Sequence, residues 1–297
     1  MRFGIVVSDP DDWTARAMMA SFIRRGSDAF FLDFSSLTAS LNQWFSLSSR
    51  EIDMLSLDGL VVRDLGRSGA SDVGASDVAF RFETIRALEA LGLPVVNPPE
   101  SIARAANKFA TSLALKKMGV PTPRTTITTS FEEALKAVST YEKAVSKPLF
   151  GYKGKEIVLL SEENEAELKS IMERQGMVYL QEFVFLESPR DIRAFVVDDM
   201  VLGAIYRVAQ KGQWISNLAR GGRADPCPVT EDLRDLAVRA SRAAGTVYAG
   251  VDLLETSEGL KVIEVNGTPS GKGIYEALEV DVTKAIADYV IGLRASK

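Results

Sequence analysis

The residues VIEVNGTPSGKG, at positions 262–273, decide how the rest of the chain is read. Val262, Ile263 and Val265 belong to a strand, and the Gly, Pro and Ser residues after Asn266 end it. Glu264 and Asn266 lie two residues apart, so in a strand both side chains point to one face. The run YAGVDLLET (248–256) precedes LKVIEVN (260–266), and the short SEG turn between them predicts a hairpin. Such a hairpin brings Asp252 opposite Glu264, to within about one residue of register. Two carboxylates and an amide oxygen then converge. Left alone, carboxylates that close repel, and one takes up a proton. A divalent cation removes the repulsion, and hard oxygen donors are the set that Mg²⁺ prefers. Three polar residues on a solvated sheet face are the plain alternative.

The bulk properties narrow the chemistry. The chain has 297 residues, a length that suits about two domains, and 46% of them are hydrophobic, enough for real cores. There is no histidine. That excludes Ser-His-Asp and Cys-His catalysis, His-ligated zinc and His acid–base chemistry. Catalysis is left to carboxylates, Lys, Arg, Tyr, backbone dipoles or an oxygen-loving metal. The single cysteine, Cys227, forms no intramolecular disulfide and fits a reducing cytoplasm. Neither a secretory leader nor a long apolar run is found, so a cytoplasmic protein without membrane partners is expected. A net charge of −5 without a basic tract argues against nucleic acid.

Working back towards the amino terminus, RFGIVVS (2–8), AFFLDF (29–34), LDGLVVRD (57–64) and LPVVN (93–97) read as strands with helical stretches between them. That alternation predicts a parallel sheet in an α/β unit. No GxGxxG follows the first strand, so a dinucleotide site lacks its phosphate loop. Pro98 and Pro99 break the chain and seed a helix, and VPTP (120–123) is an extended link. A compact α/β piece follows. Then MVYLQEFV (177–184), DIRAFVVDD (191–199), MVLGAIYRVA (200–209) and QWISNLA (213–219) read as strands joined by short turns, which predicts an antiparallel sheet.

Three further groups bear on ligands. In KPLFGYKGKEIV (147–158), Gly151 and Gly154 let backbone N–H groups approach an anion, and Lys147 neutralises phosphate charge. The spacing is not that of a Walker A loop, and an ordinary hairpin turn accounts for the same residues. In YLQEFV (179–184), a strand edge beside Gln181 offers main-chain groups to adenine, while Glu182 suits ribose hydroxyls; an ordinary edge strand is the alternative. Arg193, Arg207 and Arg220 suit bidentate contact with phosphate or carboxylate, or else solubilise the surface. Their order along the chain, ending in Asp…Glu-x-Asn, supplies what a nucleoside triphosphate and its metal require.

Taken together, NKFATSLALKKMGVPTP, KPLFGYKG, QEFV, RDIRAFVV, SNLARGG, AGVDLL and EVNGTPSGKG resemble the ATP-grasp ligases of the RimK-like branch over about residues 95–275. The ending NGTPSGKG looks most similar to archaeal tetrahydromethanopterin:glutamate ligases. The resemblance implies a mixed α/β and α+β chain. Its parts would be an amino-terminal parallel-sheet domain (1–100), a central subdomain with a Gly-rich phosphate lid (101–184) and a carboxy-terminal antiparallel subdomain with the metal site (185–297). It implies that Lys108 and Lys147 hold ATP phosphates, and that Gln181, Glu182, Phe183 and Val184 cradle adenine and ribose. Asp191, Arg193 and Arg207 would line the nucleotide and acyl-phosphate region, and Asn217 and Arg220 would approach the γ-phosphate or acceptor. Asp252, Glu264 and Asn266 would bind two Mg²⁺ or Mn²⁺ ions. Relatives often carry a basic residue where Ile215 stands, which leaves that phosphate contact to Arg220 or Lys211.

The activity implied is ADP-forming ligation of L-glutamate to a small-molecule carboxylate through an acyl phosphate, with Arg193 or Arg220 stabilising the oxyanion. A homodimer is the expected assembly. Other acceptors of the branch are a protein carboxyl terminus, a deazaflavin cofactor (F420) and a lysine-biosynthesis carrier protein. A nucleotide-binding regulator without catalysis is the reading from another class.

Overall fold

The computed structural model describes residues 1–66, 75–150, 156–216 and 221–295. The first unit contains β1 (Arg2–Val6), α1 (Trp13–Ile23) and β2 (Asp28–Leu32). An antiparallel insert follows, made of β3 (Leu37–Leu41), β4 (Phe45–Ser49) and β5 (Ile52–Asp53). The unit is completed by β6 (Gly59–Val62), α2 (Ala75–Ala90) and β7 (Val95–Val96). Strands β2-β1-β6-β7 form a parallel sheet. β6 is buried at all four positions, the pattern of a strand covered on both faces. Asp12 caps α1 by accepting from the Ala15 N–H, and Ala15, Met18 and Phe22 recur at helical spacing on its buried side.

The insert corrects the sequence reading, which placed helix between AFFLDF and LDGLVVRD. Residues 45–49 alternate towards burial at Leu47 and Ser49, and the segment is rich in Ser and Thr, so period-2 pairing wins over a helix.

A helical link, α3 (Pro99–Ala106) and α4 (Lys108–Lys117), leads into the central unit: β8 (Thr125–Thr128), α5 (Phe131–Tyr141), β9 (Ala144–Lys147), β10 (Val158–Leu160), α6 (Glu165–Gln175) and β11 (Val178–Glu182). Its antiparallel sheet runs β10-β9-β11-β8. The remaining elements are β12 (Arg190–Val197), β13 (Met200–Val208), β14 (Arg223–Cys227), α7 (Glu231–Ala244), β15 (Tyr248–Thr256), β16 (Gly259–Asn266), α8 (Lys272–Leu278) and α9 (Val282–Ala295). They build an antiparallel sheet in the order β14-β13-β12-β15-β16.

A second correction lies here. QWISNLA was expected as a strand, but residues 213–216 lie outside any strand, and Asn217 to Arg220 fall outside the described residues. The fifth strand is instead β14, with Pro226 opposite Ile205. Proline is tolerated because β14 is an edge strand with no further neighbour needing its N–H.

One face of the five-stranded sheet packs on α4 and α7 through Leu115, Leu233, Ala237 and Ala240. The other face shares a core with the parallel sheet: Phe195, Val197 and Tyr248 cluster with Phe3, Ile5 and Val61, and with Ile286 and Val290 of α9. The carboxyl-terminal helix α9 packs against α1, β6 and β12.

Candidate functional site

Three neighbouring strands set out the charges. Arg193 on β12 is in register with Asp252 on β15, and Asp252 with Glu264 on β16. The next row pairs Asp191 on β12 with Arg207 on β13. Because Asp191 and Arg193 are two residues apart, both rows rise from one sheet face. Asn266 follows at the end of β16, opposite Gly250. Gly250 is required there: a Cβ would meet Pro269 Cβ at 2.9 Å and Arg193 Cδ at 3.0 Å.

The charges are tightly compensated. Arg193 donates to both oxygens of Asp252, from Nη2 at 2.9 Å, and Arg207 Nη2 lies 2.8 Å from Asp252 Oδ2. Arg207 also clasps Asp191 through Nε (2.6 Å) and Nη2 (2.7 Å), and the Ser216 hydroxyl donates to the same carboxylate at 2.7 Å. Burial pushes the pKa of Asp252 up, but Arg193 and Arg207 outweigh it and hold the carboxyl below its ordinary range. For Arg207, burial favours the neutral form, yet Asp252 and Asp191 raise its pKa above the usual value. Lys108, at the start of α4, donates to Glu264 Oε1 at 3.2 Å. Asn266 Oδ1 accepts from the Thr268 N–H at 2.9 Å.

On the central unit, Lys147 donates to Gln181 Oε1 at 2.7 Å. Burial lowers the Lys147 pKa to about 8; Lys108 adds to the shift, and Glu264, Asp252 and Asp191 oppose it. Glu182 accepts from the Arg124 backbone N–H at 3.0 Å and from its guanidinium, with Lys261 at 3.7 Å. Burial raises the Glu182 pKa, but Arg124 reverses the shift and holds it low. Phe183 meets Trp214 edge-on, with ring centroids 5.7 Å apart.

A single cleft of about 1090 Å³ brings these groups together. Lys147, Gln181, Glu182, Phe183 and Val184 line its central-unit side, Lys108 of the helical link lines it beside Glu264, and Asp191, Arg193, Arg207, Asp252, Glu264 and Asn266 line its sheet side. Gly151, Gly154, Asn217 and Arg220 lie outside the described residues. Ser216, Arg124 and Lys261 were not singled out in the sequence. No local pattern marks Arg124 or Lys261, because each reaches Glu182 only through the fold. Arg63 was also missed. It closes the amino-terminal end of the cleft, buried, with Asp12 Oδ1 3.4 Å from its Nε. Its signal was available: a cation directly after the apolar run GLVV.

Asp252, Glu264 and Asn266 carry two carboxylates and an amide oxygen, a donor chemistry that fits a hard divalent cation, with both Asp252 oxygens held by Arg193 and Arg207 and one Glu264 oxygen by Lys108. The cations gathered in the same cleft, Lys108, Lys147, Arg193 and Arg207, suit a polyphosphate. The RimK-like ATP-grasp domain matches residues 105–290. A tetrahydromethanopterin:alpha-L-glutamate ligase of Methanosarcina acetivorans is 40% identical, covering 97% of this chain and 98% of the relative. The protein of that name from Methanocaldococcus jannaschii is 36% identical over 98% of each chain. Among solved structures, the ATP-grasp ligase PsnB, complexed with a precursor variant, Mg and ADP, superposes with a TM-score of 0.75 at 21% identity, covering 98% of each chain. A RimK domain ATP-grasp protein from Sphaerobacter thermophilus gives 0.73 at 21% identity, covering 97% of this chain and 99% of that one. With the family's domain matched over more than half of this chain and relatives aligned over 97–98% of it, this chain belongs to the RimK-like ATP-grasp family.

Proposed function

We propose that the protein is an ATP-dependent carboxylate–amine ligase that adds L-glutamate to tetrahydromethanopterin, forming ADP and phosphate. The observation that carries the reading is that the hairpin pair Asp252–Glu264 and Asn266 share one cleft with the cations Lys108, Lys147, Arg193 and Arg207. The archaeal relatives support glutamate and the pterin cofactor as substrates.

In this reading Lys108 and Lys147 bind the ATP phosphates, and Gln181, Glu182, Phe183 and Val184 hold adenine and ribose. Gly151 and Gly154 are assigned to the phosphate lid, and Asn217 and Arg220 to contacts with the γ-phosphate or acceptor. Asp252, Glu264 and Asn266 would hold two Mg²⁺ or Mn²⁺ ions, which supply charge neutralisation on the phosphates. An acceptor carboxylate oxygen attacks the γ-phosphorus, the bond to ADP breaks, and an acyl phosphate results. The glutamate amine, having lost a proton, attacks the acyl carbon, and the C–O bond to phosphate breaks. Phosphoryl transfer asks the protein mainly for positioning and charge stabilisation, which Lys and Arg provide without histidine. Arg193 and Arg220 are the residues this reading assigns to the tetrahedral oxyanion, a contribution of roughly 3–4 kcal/mol for one good donor.

The test incubates the protein with ATP, Mg²⁺, L-glutamate and tetrahydromethanopterin, reading ADP release and the mass gain of one glutamyl residue. ADP release that ignores the presence of glutamate or acceptor defeats the proposal. A mass gain on a deazaflavin or a protein carboxyl terminus, and none on the pterin, keeps the ligase and reassigns its acceptor. A homodimer in the cytoplasm completes the reading, with light scattering as the check on assembly. Among the described residues no helix is long and apolar enough to cross a membrane.

A further inference from the structure

The hairpin carrying Asp252, Glu264 and Asn266 is closed at one end by its turn. At the other end, where β15 begins and β16 stops, a residue of the first unit holds it. Asn97, directly after β7, is wholly buried and does not line the cleft. Its Nδ2 donates to the carbonyls of Tyr248 (2.8 Å) and Gly267. Its Oδ1 accepts from the N–H groups of Val247 (2.6 Å) and Tyr248 (3.0 Å). An asparagine side chain has two N–H donors and two acceptor lone pairs, so all four are used.

The peptide joining Gly267 to Thr268 is therefore fixed from both sides. Its carbonyl accepts from Asn97, and its N–H donates to Asn266 Oδ1 at 2.9 Å. The following peptides are held by the same unit. Arg63 Nη1 donates to the carbonyls of Thr268 (3.0 Å) and Pro269 (2.7 Å), and Thr14 Oγ1 accepts from the Gly271 N–H (3.0 Å). We propose that Asn97 is a positioning residue for Asn266. It locks the amide plane through the intervening peptide, so that one lone pair of Asn266 Oδ1 is taken by the Thr268 N–H and the other points at the ligand. The inference rests on the metal–nucleotide reading given above. Outer partners of metal ligands are typically worth about 10–100-fold in metal affinity or activity.

The experiment uses Mn²⁺ with a non-hydrolysable ATP analogue and the full chain, following free Mn²⁺ by electron paramagnetic resonance and analogue binding by calorimetry. For Asn97→Ser and Asn97→Ala we expect unchanged analogue affinity without metal and a loss of about tenfold or more in the Mn²⁺-dependent gain. Asn266→Ala should lose a similar amount, and the double variant no more, because Asn97 acts through Asn266. A purely structural role would weaken both affinities and add to Asn266→Ala. Additive losses, or a Mn²⁺-dependent gain in a folded Asn97 variant within about threefold of wild type, overturn the proposal. If neither of these variants folds, Asn97→Asp carries the test by the same cycle, since the carboxylate keeps the acceptor for the Val247 and Tyr248 N–H groups but loses the donation to the Gly267 carbonyl. A wild-type protein showing no Mn²⁺-dependent gain refutes the metal reading itself, and the inference falls with it.

Discussion

Lys147 offers a direct trial of the cleft's electrostatics. Its ammonium is held where burial has brought its pKa from 10.5 to about 8. At about 1.4 kcal/mol per unit, a charged Lys147 costs the nucleotide-free fold about 3 kcal/mol at neutral pH. Lys147→Met removes that cost and gives up one charged hydrogen bond to Gln181, worth about 1.5 kcal/mol. The variant should therefore be more stable than wild type at pH 7 by about 1.5 kcal/mol. The gap depends on pH in a defined direction. Between about 8 and 10.5 the unfolded chain holds the Lys147 proton and the folded one has released it, so wild-type stability rises with pH and the gap closes. Denaturant unfolding at pH 7 and pH 10 measures both quantities. In calorimetry the same variant should bind ATP about tenfold to a hundredfold more weakly, through loss of a charged contact to phosphate. A variant no more stable than wild type at pH 7, or a gap unchanged at pH 10, refutes the assignment of a desolvated cation to this position.

Glu264→Gln should retain the fold by circular dichroism and lose at least about nine-tenths of metal-dependent ADP formation, since a metal ligand supplies several kcal/mol of transition-state stabilisation. Arg207→Leu strips a partner from both Asp191 and Asp252 and should cost about 3–5 kcal/mol in denaturant unfolding at pH 7. Gly250→Ala drives a methyl into Pro269 and Arg193 and should cost about 1–3 kcal/mol and lower turnover; wild-type stability would contradict the tight approach. Of the three tryptophans, only Trp214 lines the cleft among the described residues, so an ATP-induced fluorescence change should vanish in Trp214→Phe and persist in Trp44→Phe.

The sequence announces features that repeat with a short period. The hairpin register, the antiparallel β12–β13 pair and the buried parallel strands follow from alternation and apolar runs, and Asp252 indeed faces Glu264. What was hidden depends on neighbours far away in the chain. β14 contains Arg, Asp and Pro, and only its edge position beside β13 makes it a strand. The β3–β5 insert looks helical in length, and it is betrayed by alternation over just a few residues. Within the cleft, the residue types pointed to a cation holding Asp252. That Arg193 and Arg207 occupy both its oxygens could be known only once β12, β13 and β15 were aligned. Arg124 and Arg63 act on partners 58 and more than 200 residues away, a reach no motif expresses.

The parallel sheet and the five-stranded sheet share one apolar interior, with α9 packed against both. The β8–β11 unit keeps its own, built on Ala134, Val138, Leu160, Leu168 and Leu180. The consequence is kinematic. Swinging the first unit against the metal-carrying strands would tear that shared interior open, whereas tilting β8–β11 on its tethers near residues 122–124 and 183–189 leaves both interiors whole. Any jaw that shuts on a nucleotide is therefore the one bearing Lys147 and Gln181, moving over a floor that stays still.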